Sequence, residues 1–312
     1  MTDSLTYKDA KARHGAQRPA FDLDAVVSEL HRSREVSHNI REGGVARRLP
    51  SRAAIAEIVE SLSAVLFPTH YGQPDLNPES IDGFVRDTLA RTLESLTEQI
   101  RRAHPPSPDD NAASRASADR VARDFVAAFA GRLPATRALL VSDLQAAYEG
   151  DPAATTLLEV LLSYPGMIAV ISYRIARSLY LLGAPLIARL ISNIAHSRTG
   201  IDIHPGAEIG GSFFIDHGTG VVIGETAVVG ERVRLYQAVT LGAKRFPVGG
   251  DGILVKGVAR HPIVEDDVVI YAGATVLGRV TIGRGSVIGG NVWLTHSVPP
   301  GSNVTQAQAH DG

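Results

Sequence analysis

The chain has 312 residues, enough for two modest domains, and its lack of cysteine excludes disulfide bonds and thiolate metal sites. A formal net charge of −2 and the scarcity of clustered lysine and arginine argue against a nucleic-acid-binding surface. There is no run of about 18 apolar residues and no secretory leader, so we expect a cytoplasmic protein without a membrane segment.

Helical periodicity dominates residues 21–199, which follow a polar stretch at 1–20 that we predict to be a mobile tail. Within this helical domain, residues 104–118 are rich in Pro, Ser and Asp and predict an exposed linker. The predicted helices begin near Leu23 and then cover 51–67, 78–103, 120–130 (closed by Gly131 and Pro134), 151–162, 166–182 and 185–198. No chemical motif lies in this domain, so we expect it to serve packing or oligomerisation.

Helix-capping signals occur at three positions, one of which begins a further predicted helix that runs from Ser142 to a stop signal at Gly150. Ser51 is a plausible N-cap, and Ser142 followed by Gln145 is a capping-box pattern. Asp151 before Pro152 predicts an N-cap with proline at the first helical position. Capping therefore explains Asp151 without any role in function.

A six-residue repeat organises residues 200–304, which we predict to be the second domain. Six is the period of neither a helix nor a plain strand, but it suits a chain that turns a corner after each short strand. Three hexads close one triangular coil, so we predict a parallel β-helix of about four coils with two columns of inward residues. The first column contains Ile203, Ile209, Ile215, Ile223, Val229, Leu235, Leu241, Val264, Ile270, Val276, Ile282, Ile288 and Leu294. The second contains Ala207, Phe213, Ala227, Val233, Val239, Val268, Ala274, Val280, Ser286, Val292 and Val298.

Two irregularities interrupt the repeat and mark where we expect function. The spacing from Ile215 to Ile223 is eight residues, which places Asp216 and His217 beside a two-residue insertion. Further along, a Gly-rich loop at 243–262 leaves the coil. Insertions in repeat proteins usually map to loops on a working face.

Asp202 and His217 are the first candidates for catalysis. They are fifteen residues apart, slightly less than one coil, so they can lie side by side on adjacent coils. A carboxylate that orients an imidazole leaves the other ring nitrogen free to accept a proton. The simpler interpretation is that Asp202 caps a corner and His217 fills the insertion.

Other polar residues of the coils also allow more than one interpretation. Arg260 and His261 close the long loop, where a cation would hold a substrate carboxylate or would simply be solvated. A corner aspartate such as Asp216 can bond its own backbone. The histidines at 196, 204, 217 and 261 suggest zinc, but they fall at different phases of the repeat, whereas metal ligands must converge.

Several segments together form a far more specific pattern than the repeat alone. They are GIDIHPGAEIG at 200–210, DHGTGVVIGETA at 216–227, LYQAVTLGA at 235–243 and ARHP at 259–262. With DLQAAYEGDPA and the YRIA of 173–176, they resemble the serine O-acetyltransferase family over about residues 143–304. The resemblance implies an α+β fold, in which an N-terminal all-helical domain precedes a left-handed parallel β-helix of hexapeptide repeats.

The same resemblance implies transfer of acetyl from acetyl-CoA to the hydroxyl of L-serine, which gives O-acetyl-L-serine for cysteine synthesis. His217 matches the catalytic base of the family, and Asp202 matches its partner. The residues that match the serine-binding set are Asp151, Asp216, Arg260 and His261. Those that match the acetyl-CoA groove are Gly242, Ala243, Ala272 and Gly290.

Expectations about partners follow from the resemblance as well. Sites of this family lie between neighbouring β-helices, so a homotrimer or a dimer of trimers is implied. Acetyl-CoA is a co-substrate, and neither a cofactor nor a metal is implied. The short tail at 305–312 ends in HDG rather than in the isoleucine that many members insert into O-acetylserine sulfhydrylase, so we do not expect that complex.

Three alternatives remain open at this stage. In the first, the chain is another hexapeptide acyltransferase that acts on a sugar, an antibiotic or a different amino acid. In the second, it is a metal-dependent β-helix similar to a carbonic anhydrase, which metal analysis would reveal. In the third, it is a non-enzymatic scaffold, and replacing His217 would then leave every activity unchanged.

Overall fold

The structure, a computed structural model, describes residues 22–37, 48–103, 112–245, 247–250 and 252–306. The predicted tail at 1–20 and residues 307–312 of the second tail lie outside the described residues. The chain divides into one unit up to Arg47 and a second from Arg48 onwards. In the first unit, α1 (Leu23–Arg32) is capped by Asp22 and continues as a π-helical turn (Ser33–Ser37).

The second unit begins with seven helices among its described residues. They are α2 (Arg52–Leu66), α3 (Pro68–Tyr71), α4 (Ile81–Ala103), α5 (Ala112–Gly150), α6 (Leu157–Ser163), α7 (Pro165–Leu181) and α8 (Pro185–Thr199). The Ser51 hydroxyl accepts from the Ala54 amide at 3.3 Å, which confirms the predicted cap of α2. The helices predicted near 51–67, 78–103, 166–182 and 185–198 are confirmed within a few residues at their ends.

Helix α5 corrects three predictions. It has 39 residues and runs without a break through Gly131 and Pro134, so the predicted end of a short helix there is wrong. It also includes residues 112–118 of the predicted linker, and Ser142 lies in its interior rather than at a cap. An interior proline removes one backbone hydrogen bond, and the buried face of α5 offsets that cost. This face consists of Val126, Phe129, Leu133, Leu140 and Leu144.

The loop before α6 corrects a fourth prediction. Asp151 does not cap a helix, because its Oδ1 accepts from the Ala153 amide at 2.8 Å in a local turn. Thr156 caps α6 instead, and its hydroxyl accepts from the Glu159 amide at 3.0 Å. The sequence signal at Asp151 was therefore a turn signal, and the side chain is left with a second carboxylate oxygen for other partners.

Among the described helices, the 116–150 part of α5 is long and apolar enough to cross a membrane, and the bent pair α6–α7 passes the same test together. The contacts of α5 favour a different interpretation. Arg137 donates to the Leu66 carbonyl at 2.9 Å, and the buried carboxylate of Asp143 pairs with Arg174. We interpret α5 as a packing helix of the helical domain, since polar contacts join its apolar window to neighbouring elements.

The rest of the second unit is a parallel β-helix of five coils, one more than predicted. The fifth coil consists of the last two strands and an isolated bridge at Val298 between them. The strands are β1 (Asp202–Ile203), β2 (Glu208–Ile209), β3 (Phe214–Ile215), β4 (Val222–Ile223), β5 (Val228–Val229), β6 (Arg234–Leu235), β7 (Thr240–Gly242), β8 (Ile263–Val264), β9 (Val269–Ile270), β10 (Thr275–Leu277), β11 (Thr281–Ile282), β12 (Val287–Ile288), β13 (Trp293–Leu294) and β14 (Asn303–Val304).

Three sheets form the sides of the coil. Sheet A has the order β1-β4-β7-β10-β13, sheet B the order β2-β5-β8-β11, and sheet C the order β3-β6-β9-β12-β14. We call the corner where the chain passes from sheet A to sheet B the AB edge. The corner where it passes from sheet C to sheet A is the CA edge, formed by turns at 216–221, 236–239, 271–274 and 289–292.

The predicted columns form the core of the β-helix. All thirteen residues of the first column are at most 6 % exposed. In the second column only Val280 is half-buried, while the others, including Ser286, are buried. Burying one aliphatic side chain contributes about 2 kcal/mol, so the repeat itself is the main source of stability in this region.

Helix α7 packs on the first coil and fixes its position. Gly166 lies so close to the Ile215 carbonyl that a Cβ on the glycine would clash with it. Arg174 donates to both carboxylate oxygens of Asp143 at 2.9 Å and to the carbonyls of Ile209 and Gly210. The start of α7 is thereby held beside the end of β3, which is followed by Asp216 and then His217.

Candidate active site

The two-residue insertion forms a turn at the start of the CA edge. His217, Gly218 and Gly220 all have positive φ, at 56°, 85° and 81°, and the Gly220 amide donates to the Gly200 carbonyl at 2.8 Å. Five other non-glycine residues at described corners of the coil share this conformation, among them Ala238 and Asn291 on later turns of the CA edge, so it is a feature of these corners. The turn projects its imidazole outward, and the side chain is 69 % exposed.

Asp216 is the carboxylate that accompanies His217 in this structure. Its Oδ1 lies 3.6 Å from His217 Nδ1, and its side chain is mostly buried. Asp202 begins β1, and its amide donates to the Val221 carbonyl at the end of the His217 turn. Within the described residues, however, the Asp202 carboxylate makes no hydrogen bond or ion pair with the imidazole.

Asp151 reaches the same edge from the helical domain. Its Oδ2 accepts from the Tyr164 hydroxyl at 2.5 Å. That hydrogen bond and the one from the Ala153 amide lower the Asp151 pKa, and the nearby charges of His217 and Arg234 lower it further. The pKa of Tyr164 is raised to about 12 because its hydroxyl donates to this carboxylate. The side chains of Asp151, Asp216 and His217 therefore form one polar cluster, with Tyr164 as a member that the sequence did not predict.

Arg260 and His261 lie at the AB edge, where the long loop rejoins the coil. Thr226 organises them, because its hydroxyl accepts from the Arg260 amide at 2.9 Å and from the His261 amide at 3.2 Å. The Arg260 guanidinium donates to Glu225 at 2.8 Å, and both side chains are about a quarter exposed. Thr226 and Glu225 were not among the predicted site residues, although their GETA motif was the available signal.

The imidazole of His261 is buried and neutral. Its Nδ1 accepts from the Thr226 amide at 3.1 Å, which assigns the remaining ring proton to Nε2. Burial lowers the pKa of His261, and the positive charges of Arg260 and Arg279 lower it further. At neutral pH this ring is therefore a hydrogen-bond donor rather than a cation.

His204 is also held in its neutral form at the AB edge. Burial lowers its pKa to about 4, and its Nδ1 accepts from the Gly206 amide at 2.9 Å. Its ring packs edge-on against Tyr180. Among the described residues, no group of three or more potential metal ligands converges anywhere in the chain.

The four residues matched to the acetyl-CoA groove divide between the two edges. Gly242 and Ala243 lie where β7 leads into the long loop at the AB edge, beside a cavity of about 280 Å³. Lys244, Arg245, Arg260 and Arg279 contribute to its lining. Ala272 and Gly290 lie on successive turns of the CA edge, above His217 in the stack of coils.

The structure thus brings the candidate residues together in two groups rather than one. Asp151, Asp216 and His217 share the CA edge, while Arg260 and His261 share the AB edge. Within one chain, sheet A separates the two edges by roughly 15 Å, because about five residues at about 3.3 Å each cross the sheet from one edge to the other. A substrate as small as an amino acid cannot touch both groups of the same chain.

Comparison with known proteins agrees with the family resemblance found in the sequence. The family model described as bacterial transferase hexapeptide (six repeats) matches residues 261–296. A relative from Synechococcus elongatus named serine acetyltransferase, plasmid, is 53 % identical over 296 residues, which cover 93 % of this chain and 92 % of the relative.

Solved structures extend the comparison to the fold. Serine acetyltransferase 1 of Entamoeba histolytica in complex with L-cysteine superposes with a TM-score of 0.69 at 35 % identity, covering 90 % of this chain and 98 % of that one. Isoform 3 from the same organism, in complex with cysteine, gives 0.66 at 34 % identity, covering 83 % of each chain. The predicted fold class, helices followed by a left-handed β-helix of hexapeptide repeats, is confirmed.

Proposed function

Because the chain belongs to the serine acetyltransferase family, we propose that His217 is the general base with which it acetylates the hydroxyl of L-serine. The protein is an acyltransferase, and a role in cysteine biosynthesis follows from the family. The observation that carries the proposal is an exposed imidazole whose Nδ1 lies 3.6 Å from the Asp216 carboxylate at the CA edge. In this environment the ring has an acidic neighbour and open access for a substrate.

The chemistry requires a base because a serine hydroxyl is a weak nucleophile at neutral pH. His217 accepts the hydroxyl proton while the oxygen attacks the thioester carbonyl, and the C–S bond then breaks. The imidazolium returns the proton to the departing CoA sulfur, so His217 ends each turnover neutral. The acetyl group passes directly to serine, with no acyl-enzyme, and the proposal includes neither a metal nor a cofactor.

Asp202 is our proposed partner for the imidazole. Its backbone is hydrogen-bonded to the end of the His217 turn, so a rotation of the exposed ring can bring Nδ1 towards its carboxylate. A carboxylate there favours the correct tautomer and stabilises the imidazolium. Asp216, whose Oδ1 already lies 3.6 Å from Nδ1, would then be free for the substrate.

We propose that charged side chains of both edges bind the serine. The carboxylates of Asp151 and Asp216 suit the ammonium group of an amino acid. Arg260 suits its carboxylate, and the neutral His261 can donate from Nε2 to the same group. Backbone amides near Gly242 and Ala243 are our candidates for stabilising the tetrahedral intermediate.

A complete site in this proposal needs two copies of the chain. The AB edge of one copy would meet the CA edge of the next, which places Arg260 opposite His217 and closes the groove for acetyl-CoA. A heterologous contact of this kind closes into a ring, and a homotrimer or a dimer of trimers satisfies it. We propose a cytoplasmic location, with no nucleic-acid or membrane partner.

The direct test measures release of free CoA thiol from acetyl-CoA with different acceptors. We expect L-serine to support release at least about tenfold faster than threonine, homoserine or a sugar, since one misplaced group at a tight polar site costs about this much. Faster release with any of those acceptors would overturn the substrate assignment, even though the fold would stand.

A further inference from the structure

We infer that Tyr164 is a positioning residue that sets the preference for acceptors with an α-amino group, because it holds Asp151 in place. This inference rests on the proposed function. It concerns a residue outside every motif that marks the family in this sequence. Tyr164 lies between α6 and α7, in the segment SYPGM.

The hydrogen bonds of the loop that carries Asp151 are otherwise local, and Ala154 of this loop also packs against the core. Residues 151–156 make hydrogen bonds to positions at most four residues away, such as those of Asp151 to Ala153 and of Thr155 to Glu159. Among the described residues, the bond from Tyr164 to Asp151 is the single hydrogen bond that links this loop to a more distant part of the chain. Tyr164 therefore provides the hydrogen bond from outside the loop that orients the Asp151 carboxylate at the CA edge.

Tyr164 itself is anchored to the β-helix. It is the residue before α7, where Pro165 fixes the first helical position. Gly166 then packs against the Ile215 carbonyl with no room for a side chain. Since Ile215 directly precedes Asp216 and His217, the contact of Gly166 with Ile215 and the hydrogen bond of Tyr164 connect the proposed base to Asp151.

The chemistry of the bond fits a role in orienting a charge. The Tyr164 hydroxyl donates to Oδ2 and the Ala153 amide to Oδ1, so each carboxylate oxygen keeps lone pairs for another donor. The bond is charge-assisted and forms best when Asp151 is ionised. A substrate ammonium group needs that ionised form, and without Tyr164 the carboxylate would be free to turn away.

The test compares Tyr164→Phe with wild-type protein in the thiol-release assay. We expect KM for L-serine to rise about tenfold, which is the effect of losing one hydrogen bond to a charged group, while kcat changes less than about twofold. KM for acetyl-CoA should not change. The inhibition constant of 3-hydroxypropanoate, a serine analogue without the amino group, should not change either.

Two controls separate positioning from a merely structural role. Tyr148→Phe removes a hydroxyl on α5 that has no hydrogen-bond partner among the described residues, and it should behave as wild type. In a double-mutant cycle with Asp151→Asn, the effect of Tyr164→Phe on KM for L-serine should disappear, since no charged carboxylate remains for Tyr164 to orient. Thermal unfolding of each variant shows whether the fold is intact.

The outcomes are distinct. If Tyr164→Phe weakens L-serine and 3-hydroxypropanoate equally, or its effect adds to that of Asp151→Asn, the inference is overturned. It is also overturned if KM for L-serine stays within about twofold of wild type. If wild-type protein releases no thiol with L-serine, the proposed function fails and this inference fails with it.

Discussion

Replacing His217 with alanine should lower kcat for L-serine acetylation by about 10²- to 10⁴-fold, the contribution of a positioned general base. The structure places this imidazole on a turn at the surface, with 69 % of the side chain exposed, so its loss removes no core packing. Thermal unfolding should therefore stay close to that of the wild type. The measurement is steady-state thiol release at saturating acetyl-CoA and L-serine.

The neighbouring carboxylates provide the comparison for this prediction. Asp202→Asn should reduce kcat less than His217→Ala does, because an orienting group contributes less than the base it orients. Asp216→Asn should chiefly raise KM for L-serine. Equal activity of His217→Ala and wild type would show that the histidine is not the general base. If Asp216→Asn instead lowered kcat and Asp202→Asn chiefly raised KM for L-serine, the roles of the two aspartates would be exchanged.

Replacing Arg174 with methionine should destabilise the second unit by about 3–5 kcal/mol, the usual cost of breaking a buried ion pair. Asp143 is 1 % exposed and would lose both donors that Arg174 provides to its carboxylate. The carbonyls of Ile209 and Gly210 would lose a donor at the same time. The measurement is the free energy of unfolding from denaturant titration.

An exposed arginine serves as the matched control for this experiment. Arg101 pairs with Glu98 and Asp119 at the surface, so Arg101→Met should cost no more than about 1 kcal/mol. If Arg174→Met proved as mild as Arg101→Met, the contact between α7 and the first coil would not be the stabilising junction described above. Activity should fall with stability, since this junction also positions Tyr164.

The sequence was most informative where the period is regular. Each inward position of the β-helix is set by local spacing, so every member of the first column, from Ile203 to Leu294, is buried as predicted. The long helix α5 was divided too early because Pro134 is a strong local stop signal. Burial of Phe129 and Leu140 on either side of that proline is a tertiary effect that local signals do not contain.

At the candidate site too, the sequence was informative about residues close together in the chain and not about pairs far apart in it. Motifs predicted His217, Asp216, Arg260 and His261 as site residues, each within a few residues of a break in the repeat. The hydrogen-bond partners of Asp151 and His261 were missed, because Tyr164 is thirteen residues from Asp151 and Thr226 is thirty-five residues from His261. Folding brings such pairs together, and single-sequence patterns report only neighbours.

The placement of the candidate residues on two edges is the main structural result about function. The three-sheet topology separates His217 from Arg260 by the width of sheet A. A shared site between copies reconciles this separation with the small size of L-serine. This arrangement can be tested without knowing the assembly in advance.

The most direct test mixes two inactive variants, His217→Ala and Arg260→Ala, each carrying a different affinity tag. Co-expressed rings of three purified through both tags contain one contact with an intact His217 facing an intact Arg260. We expect such rings to recover about a third of the wild-type activity, while each variant alone stays nearly inactive. Thiol release no higher than that of the separate variants would contradict a site built from two copies.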